Sequence, residues 1–165
     1  MAVPPQLERA EHAELAELKL ARLSDAYRIA LMSRDLVEKG LPWSWLARRV
    51  ASHIRGRESN VLTARVKGRL VGFAIMQFYD ERAHLNLLAV DPAARRFGVG
   101  RRLVEWQEEV ALSGGMHIVN LEVRANNAGA GASYRMLGYR ESKRIPGYYS
   151  GREVAIRMTH DLRRG

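Results

Sequence analysis

One stretch limits the possible folds more than any other: Leu88-Ala89-Val90-Asp91-Pro92-Ala93-Ala94-Arg95-Arg96-Phe97-Gly98-Val99-Gly100-Arg101-Arg102-Leu103. An apolar strand is broken by Asp91-Pro92, because proline has no N–H to continue a ladder. The chain then passes through a turn rich in Arg and Gly. A helix opens near Gly98, with Val99, Leu103, Trp106 and Val110 on one face. Upstream, Val61, Thr63 and Val66 read as a strand, Lys67-Gly68 as a tight turn and Leu70 to Phe78 as a second strand. Asp80 to Arg82 turns again, and Leu85 to Val90 is a third strand. Two successive hairpins make an antiparallel meander. The Gly-rich turn therefore ends a meander rather than beginning a βαβ unit.

The flanks complete the pattern. Leu18, Leu20 and Leu23 with Arg22 suggest a short first strand, and Ser24-Asp25 can cap the next helix. Ile29, Met32 and Leu36 give that helix an apolar face, and Gly40 and Pro42 stop it. Trp43, Leu46, Val50 and Ile54 repeat at helical spacing. After Gly114-Gly115, Ile118 to Val123 is a strand. Val119, Leu121 and Val123 point one way; Asn120, Glu122 and Arg124 point the other. A short helix covers Ala128 to Leu137 and stops at Gly138. Two last strands, near Tyr139 to Ile145 and Glu153 to Thr159, surround Pro146-Gly147. The order β-α-α-β-β-β-α-β-α-β-β predicts an α/β fold of the α+β type, with a mixed, mostly antiparallel sheet and helices on both faces. Residues 1–14 read as a flexible lead and 15–165 as a single domain, within the reach of 165 residues.

Composition narrows the function classes. There is no cysteine, so a disulfide framework, a thiolate metal site and a cysteine nucleophile are excluded. The five histidines, His12, His53, His84, His117 and His160, show no metal-ligand spacing, so no metal is expected. No apolar run suits a membrane span and no signal peptide is visible, so a soluble, cytoplasmic protein is expected. The net charge is +9, and of 27 basic residues all but Lys19, Lys39, Lys67 and Lys143 are arginine. Such a balance suits nucleic acid, an anionic ligand or an arginine-biased surface. Arg95, Arg96, Arg101 and Arg102 crowd one turn, which suits a compact anion and argues against nucleic acid.

The turn itself is built for phosphate. Free N–H groups at a helix start carry partial positive charge, glycines let a ligand approach, and arginines add forked donors. A dinucleotide fingerprint requires a third glycine where Leu103 stands, and a P-loop requires Gly-Lys-Ser/Thr. An ordinary Gly-rich helix start with surface arginines remains open on these residues alone. The pattern Arg95-x-x-Gly98-x-Gly100 resembles the pyrophosphate loop of the GNAT superfamily of acyl-CoA-dependent N-acyltransferases. The segments Leu121-Glu122-Val123-Arg124-Ala125-Asn126-Asn127-Ala128 and Tyr134-Arg135-Met136-Leu137-Gly138-Tyr139 resemble the second half of that domain. Pro42-Trp43-Ser44 and Tyr148-Tyr149 with Gly151-Arg152-Glu153 are similar to its ribosomal-protein-alanine N-acetyltransferase branch. The resemblance spans roughly residues 16 to 160.

The resemblance implies a sheet splayed in the middle, with acetyl-CoA in the gap as co-substrate. The backbone of Leu88, Ala89 and Val90 would pair with the pantetheine arm. Arg95, Arg96, Phe97, Gly98, Val99 and Gly100, with Arg101, would hold the pyrophosphate, and Asn127 would contact the CoA arm. Asn127 also reads as a helix N-cap. Glu122 matches the family's general base and Tyr134 its general acid, with the Val90 N–H holding the oxyanion. Burial is expected to raise the Glu122 pKa toward neutrality. Read without the family, Glu122 is a salt-bridge partner of Arg124 on the same face and Tyr134 is core packing. His84 reads as a second base or as a surface or core histidine. With no cysteine, direct transfer in a ternary complex is the remaining route.

Trp43, Tyr148 and Tyr149 are expected to wall the acceptor site. An α-amine has a pKa of about 7.7–8.0 against about 10.4 for lysine, a difference of roughly 3.4 kcal/mol in work for the base. A lone carboxylate therefore suits a peptide or protein N-terminus. A small amine, a lysine side chain, or a noncatalytic module that binds nucleic acid or the ribosome are the alternatives. A monomer or weak homodimer is expected.

Overall fold

The structure, a computed structural model, describes residues 16–164. The expected lead, residues 1–14, lies outside them. Among the described residues seven strands form one sheet: β1 (Glu17–Leu20), β2 (Ser59–Val66), β3 (Arg69–Phe78), β4 (Arg82–Val90), β5 (Ile118–Arg124), β6 (Arg140–Tyr149) and β7 (Glu153–Asp161). Their order is β1-β2-β3-β4-β5-β7-β6. Only β4 and β5 pair in parallel; the other neighbours are antiparallel. Among the described residues four α-helices accompany them: α1 (Ala26–Met32), α2 (Ala47–Arg55), α3 (Val99–Ser113) and α4 (Ala128–Met136). The expected element order and mixed sheet are both found.

Each face of the sheet has its own apolar core. Val99, Leu103, Val104 and Ala111 of α3 pack with Leu62, Ala74, Met76, Leu121 and Met158. Ala26, Ile29, Ala30 and Val50 from α1 and α2 pack on the opposite face with Phe73, Ile75, Leu87 and Ala89. Gln107 fastens α3 to the sheet, donating through Nε2 to Asn60 O at 3.2 Å and Ala74 O at 3.1 Å.

The parallel pair is short. β4 meets β5 only over Arg82–Leu85 and Ile118–Leu121. Both strands continue beyond that pairing, so a wedge opens between their C-terminal halves. On its other side β4 stays joined to β3, with Asp91 N–H donating to Val71 O at 2.7 Å. Donors alternate sides along a strand, so the Val90 N–H faces the wedge. β4 also carries an extra residue: Leu87 pairs with Ile75 and Leu85 with Met76, leaving Asn86 as a bulge. Bulges redirect side chains beside functional sites. This one puts His84 and Asn86 into the same cavity, on the face that holds Leu87.

Three local expectations are corrected. The first strand ends at Leu20, and Leu23–Asp25 forms a 3-10 turn in which the Asp25 carboxylate accepts from Arg22 N–H at 2.8 Å. The second helix begins at Ala47 rather than near Trp43, because Ser44 and Trp45 give their N–H groups to the Glu38 carboxylate. The last hairpin turns at Ser150–Arg152, not at Pro146-Gly147. β6 runs through that dipeptide with an irregularity between Ile145 and Tyr149.

Gly138 has φ +101°, and a Cβ built there would lie 2.5 Å from His160 Nε2. His160 cannot easily yield: its Nδ1 is 2.7 Å from Glu108 Oε2, which also accepts from the Tyr139 hydroxyl at 3.2 Å. Gly138→Ala is expected to destabilise the fold by about 2 kcal/mol, through backbone strain and collision together. A drop in melting temperature of roughly 4–8 °C is the expected readout.

Candidate active site

A cavity of about 1130 Å³ opens on the α1/α2 face. One wall is the segment after α1, with Glu38, Leu41, Pro42, Ser44 and Trp45; the other is the β6–β7 hairpin, with Tyr148, Tyr149 and Ser150. A hydrogen-bonded chain crosses the floor from β3 to β7. Asn86 Nδ2 donates to Gln77 Oε1 at 3.2 Å, and Asn86 Oδ1 faces His84 Nδ1. His84 Nε2 meets Glu122 Oε2 at 2.5 Å. Arg157 Nε donates to Glu122 Oε1 at 2.8 Å. Register explains the last pair: Glu122 on β5 lies directly opposite Arg157 on β7.

The Glu122 side chain is only 5% exposed. Burial pushes its pKa up, as expected from the sequence. The bonds and charges of His84 and then Arg157 outweigh burial, so the carboxyl is held below its ordinary value. This corrects the expected rise. For His84 burial lowers the pKa, but the bonds to Glu122 and Asn86 and the Glu122 charge win, and the net shift is upward. With Nδ1–H given to Asn86, one proton lies between Nε2 and Glu122. These directions place it on the imidazole rather than on the carboxylate.

The opposite side of the wedge meets the start of α3. Gly98 caps the helix at φ +81°, with no side-chain hydrogen bond at the cap. The first intrahelical bond is Arg102 N–H to Gly98 O at 3.0 Å. The N–H groups of Val99, Gly100 and Arg101 are therefore unpaired within the helix. No atom lies within 4 Å of a Cβ built on Gly98. Phosphate has an open approach to an uncapped helix start. Comparison of the sequence with family models matches residues 23–139 to the acetyltransferase (GNAT) family.

The chain belongs to the GNAT family. It is an N-acetyltransferase that uses acetyl-CoA. It is 35% identical over 147 residues to the [ribosomal protein bS18]-alanine N-acetyltransferase of Escherichia coli K12, covering 87% of this chain and 94% of that one. The solved structure of the E. coli ribosomal-protein-S18-alanine N-acetyltransferase superposes with a TM-score of 0.77 at 31% identity, covering 89% of this chain and 94% of that one. Ard1 from Thermoplasma volcanium superposes at 0.76 with 25% identity, covering 90% and 98%.

Against this GNAT frame, the expected site residues divide. Glu122, Tyr148 and Tyr149 meet in the cavity. Trp43 does not line it: its Nε1 donates to Ala30 O at 3.2 Å, and Trp45 takes the wall position. Tyr134 lies outside the cavity lining, its ring 5.8 Å from that of Tyr139, and burial holds its hydroxyl pKa well above the ordinary value. Its hydroxyl is close enough to raise that of Tyr149, which also feels Glu122. Leu88 and Val90 sit on the α3 face of β4 and Ala89 on the other. Arg95 Nε donates to Val90 O at 2.9 Å; Arg96 is exposed at φ +69° and Phe97 is half-buried. Val99 sends its side chain into the core, and Arg101 is 3.6 Å from Glu105. Arg102 turns away from the loop and donates to Ala16 O at 2.8 Å. Asn127 caps α4, accepting from Ala130 N–H at 3.1 Å. Arg124 pairs with Glu153 rather than Glu122. Arg157 carries no local sequence signal, and His84 reads from the sequence either as a second base or as a surface or core histidine.

Among the described residues no helix is long and apolar enough to cross a membrane, and no cluster of His, Asp or Glu could hold a metal.

Proposed function

We propose that this enzyme acetylates the α-amine of a peptide or protein N-terminus bound between the 37–45 segment and the β6–β7 hairpin. The observation that carries the reading is the His84–Glu122–Arg157 chain on the floor of a roomy cavity beside the β4/β5 wedge. Acetyl-CoA supplies an acyl thioester when bound. The uncapped start of α3, from Gly98 to Arg101, is assigned to its pyrophosphate, with Arg95 and Arg96 adding charge. The wedge edge of β4, from Leu88 to Val90, takes its extended arm.

Glu122 and His84 act as one base. The acceptor ammonium gives its proton to the pair, and the neutral nitrogen attacks the acyl carbonyl carbon. The Val90 N–H, facing the wedge, stabilises the oxyanion. The carbon–sulfur bond then breaks: Tyr134, kept protonated by burial, gives its proton to the departing sulfur and takes back the one the attacking nitrogen loses as it becomes the neutral amide. Tyr148 and Tyr149 offer hydroxyls to a peptide backbone. A nucleic-acid reading gains nothing here: Arg65, Arg124 and Arg157 are paired with Asp25, Glu153 and Glu122.

Calorimetry with acetyl-CoA, followed by acetyl transfer to N-terminal peptides, lysine peptides and polyamines, tests the reading. Transfer to α-amines at least tenfold faster in kcat/KM than to lysine is expected, about 1.4 kcal/mol of discrimination. Transfer to polyamines alone would overturn the acceptor class.

A further inference from the structure

On β5 the residues Asn120, Glu122 and Arg124 share the cavity-side face. Glu122 lies on the cavity floor, but Arg124, at the strand's end, does not line the cavity. Its guanidinium spreads between two segments that do. Nη1 donates to Lys39 O at 2.8 Å and Nη2 to Val37 O at 3.1 Å. Nε lies 3.4 Å from Glu153 Oε2, and the group sits 5.8 Å from the Tyr149 ring centroid. Arg124 thus grips the helical wall with one edge and the hairpin wall with the other.

The helical partners have a physical reason to accept. A π-helical turn, Ser33–Val37, follows α1, and the chain leaves it through Gly40 at φ +81°. The last carbonyls of a helix lack intrahelical partners and carry partial negative charge. Val37 O is one of these and Lys39 O follows in the exit turn; a planar guanidinium can serve both at once, whereas a lysine ammonium has no fixed fork. Glu38, between the two carbonyls, sends its carboxylate the other way. It accepts from Ser33 Oγ at 3.0 Å, Ser44 N–H at 2.7 Å and Trp45 N–H at 3.3 Å. Glu38 therefore sets the internal shape of the 37–45 segment, and Arg124 sets where that segment stands relative to the hairpin.

We propose that Arg124 is a positioning residue that holds the two walls of the acceptor cavity at a fixed separation and so determines acceptor affinity. This rests on the assignment of that cavity to the acceptor. The hydrogen bonds, ion pair and ring contact of the Arg124 side chain go to the two walls of the acceptor cavity, so its main effect is expected on the acceptor.

The experiment is two-substrate steady-state kinetics on the full chain, with the amine that the wild-type acceptor panel identifies. Arg124→Ala is expected to raise acceptor KM about tenfold or more, while acetyl-CoA KM stays within about twofold and kcat within about threefold. Arg124→Lys should recover part of the acceptor KM, because it restores charge and one carbonyl bond but not the fork. Glu153→Gln should raise acceptor KM less than Arg124→Ala, since both carbonyl bonds remain. Acetyl-CoA calorimetry on each variant shows that it is folded. Unchanged acceptor KM in folded Arg124→Ala overturns the proposal, as does an equal rise in both KM values. If Arg124→Ala does not fold, an unchanged acceptor KM in both Arg124→Lys and Glu153→Gln overturns it. A wild-type enzyme that acetylates no peptide amine overturns the proposed acceptor class instead, and Arg124 is then judged on the amine it does use.

Discussion

Glu122→Gln is expected to lower kcat by about 100-fold at its plateau, the low end of what a positioned general base contributes. It is also expected to move the pH dependence. In the native pair Glu122 is held low and His84 high, so at mildly acidic pH the imidazole carries the shared proton. A carboxylate held low is a poor proton acceptor, whereas neutral His84 is a good one. Turnover should therefore rise with pH through the raised His84 value, on a limb above the ordinary imidazole value of about 6.5. Glutamine removes the charge that raises His84 and leaves only a neutral amide oxygen as acceptor. The Asn86 bond still raises His84, but burial, the largest effect, and Arg157 lower it. The limb should then shift toward lower pH while the plateau falls. The affinity for acetyl-CoA should change less than about twofold, because Glu122 faces the α1/α2 side and the start of α3 lies on the other. Full rate from pH 6 to 9, or a limb that stays in place, would show that the pair is not the base.

The pairing behind that prediction was only half legible in the sequence. Alternation along β5 put Glu122 on the polar face, and the family resemblance singled it out. Alternation also offered Arg124 as its partner, the nearest charge on that face. The register of β5 against β7 decides otherwise, setting Arg157 opposite Glu122 and leaving Arg124 to Glu153 and the 37–39 carbonyls. A partner 35 residues away cannot be read from local spacing. His84 was hidden for a related reason. Strict alternation cannot keep His84, Asn86 and Leu87 on one side; the bulge at Asn86 does. The same limit explains the two tryptophans. The family resemblance of Pro42-Trp43-Ser44 points to Trp43 and helical spacing starts the helix there, but the Glu38 carboxylate takes the Ser44 and Trp45 N–H groups and delays α2, so Trp45 reaches the cavity. Pro146-Gly147 carries a turn signature, yet β6 is an edge strand, where a proline and an irregularity are tolerated. The element order was readable because hydrophobic period changes at each boundary. The meander, the Gly-rich turn and α3 stand where those changes place them.

Gly98→Trp is expected to weaken acetyl-CoA binding by about 100-fold or more, the loss of roughly 3 kcal/mol. Two charge-assisted hydrogen bonds from helix-start N–H groups suffice for that figure, at about 1.5–3 kcal/mol each. Two separate effects act at this position. Gly98 adopts φ +81°, so any side chain introduces strain of about 1–2 kcal/mol into the turn. The space beside it is open, with no atom within 4 Å of a built Cβ, so an indole has room to stand over the Val99, Gly100 and Arg101 N–H groups. Gly98→Ala separates the two, because it carries the strain without the bulk. Alanine is expected to weaken binding less than about tenfold. Both variants should melt within about 8 °C of the parent, since the same strain acts in each and the Trp side chain meets no packed neighbour. Glu122→Gln gives the complementary result: binding kept and turnover lost. A Gly98→Trp protein that binds acetyl-CoA within threefold of the parent would remove the α3 start from the cofactor site, whatever its turnover.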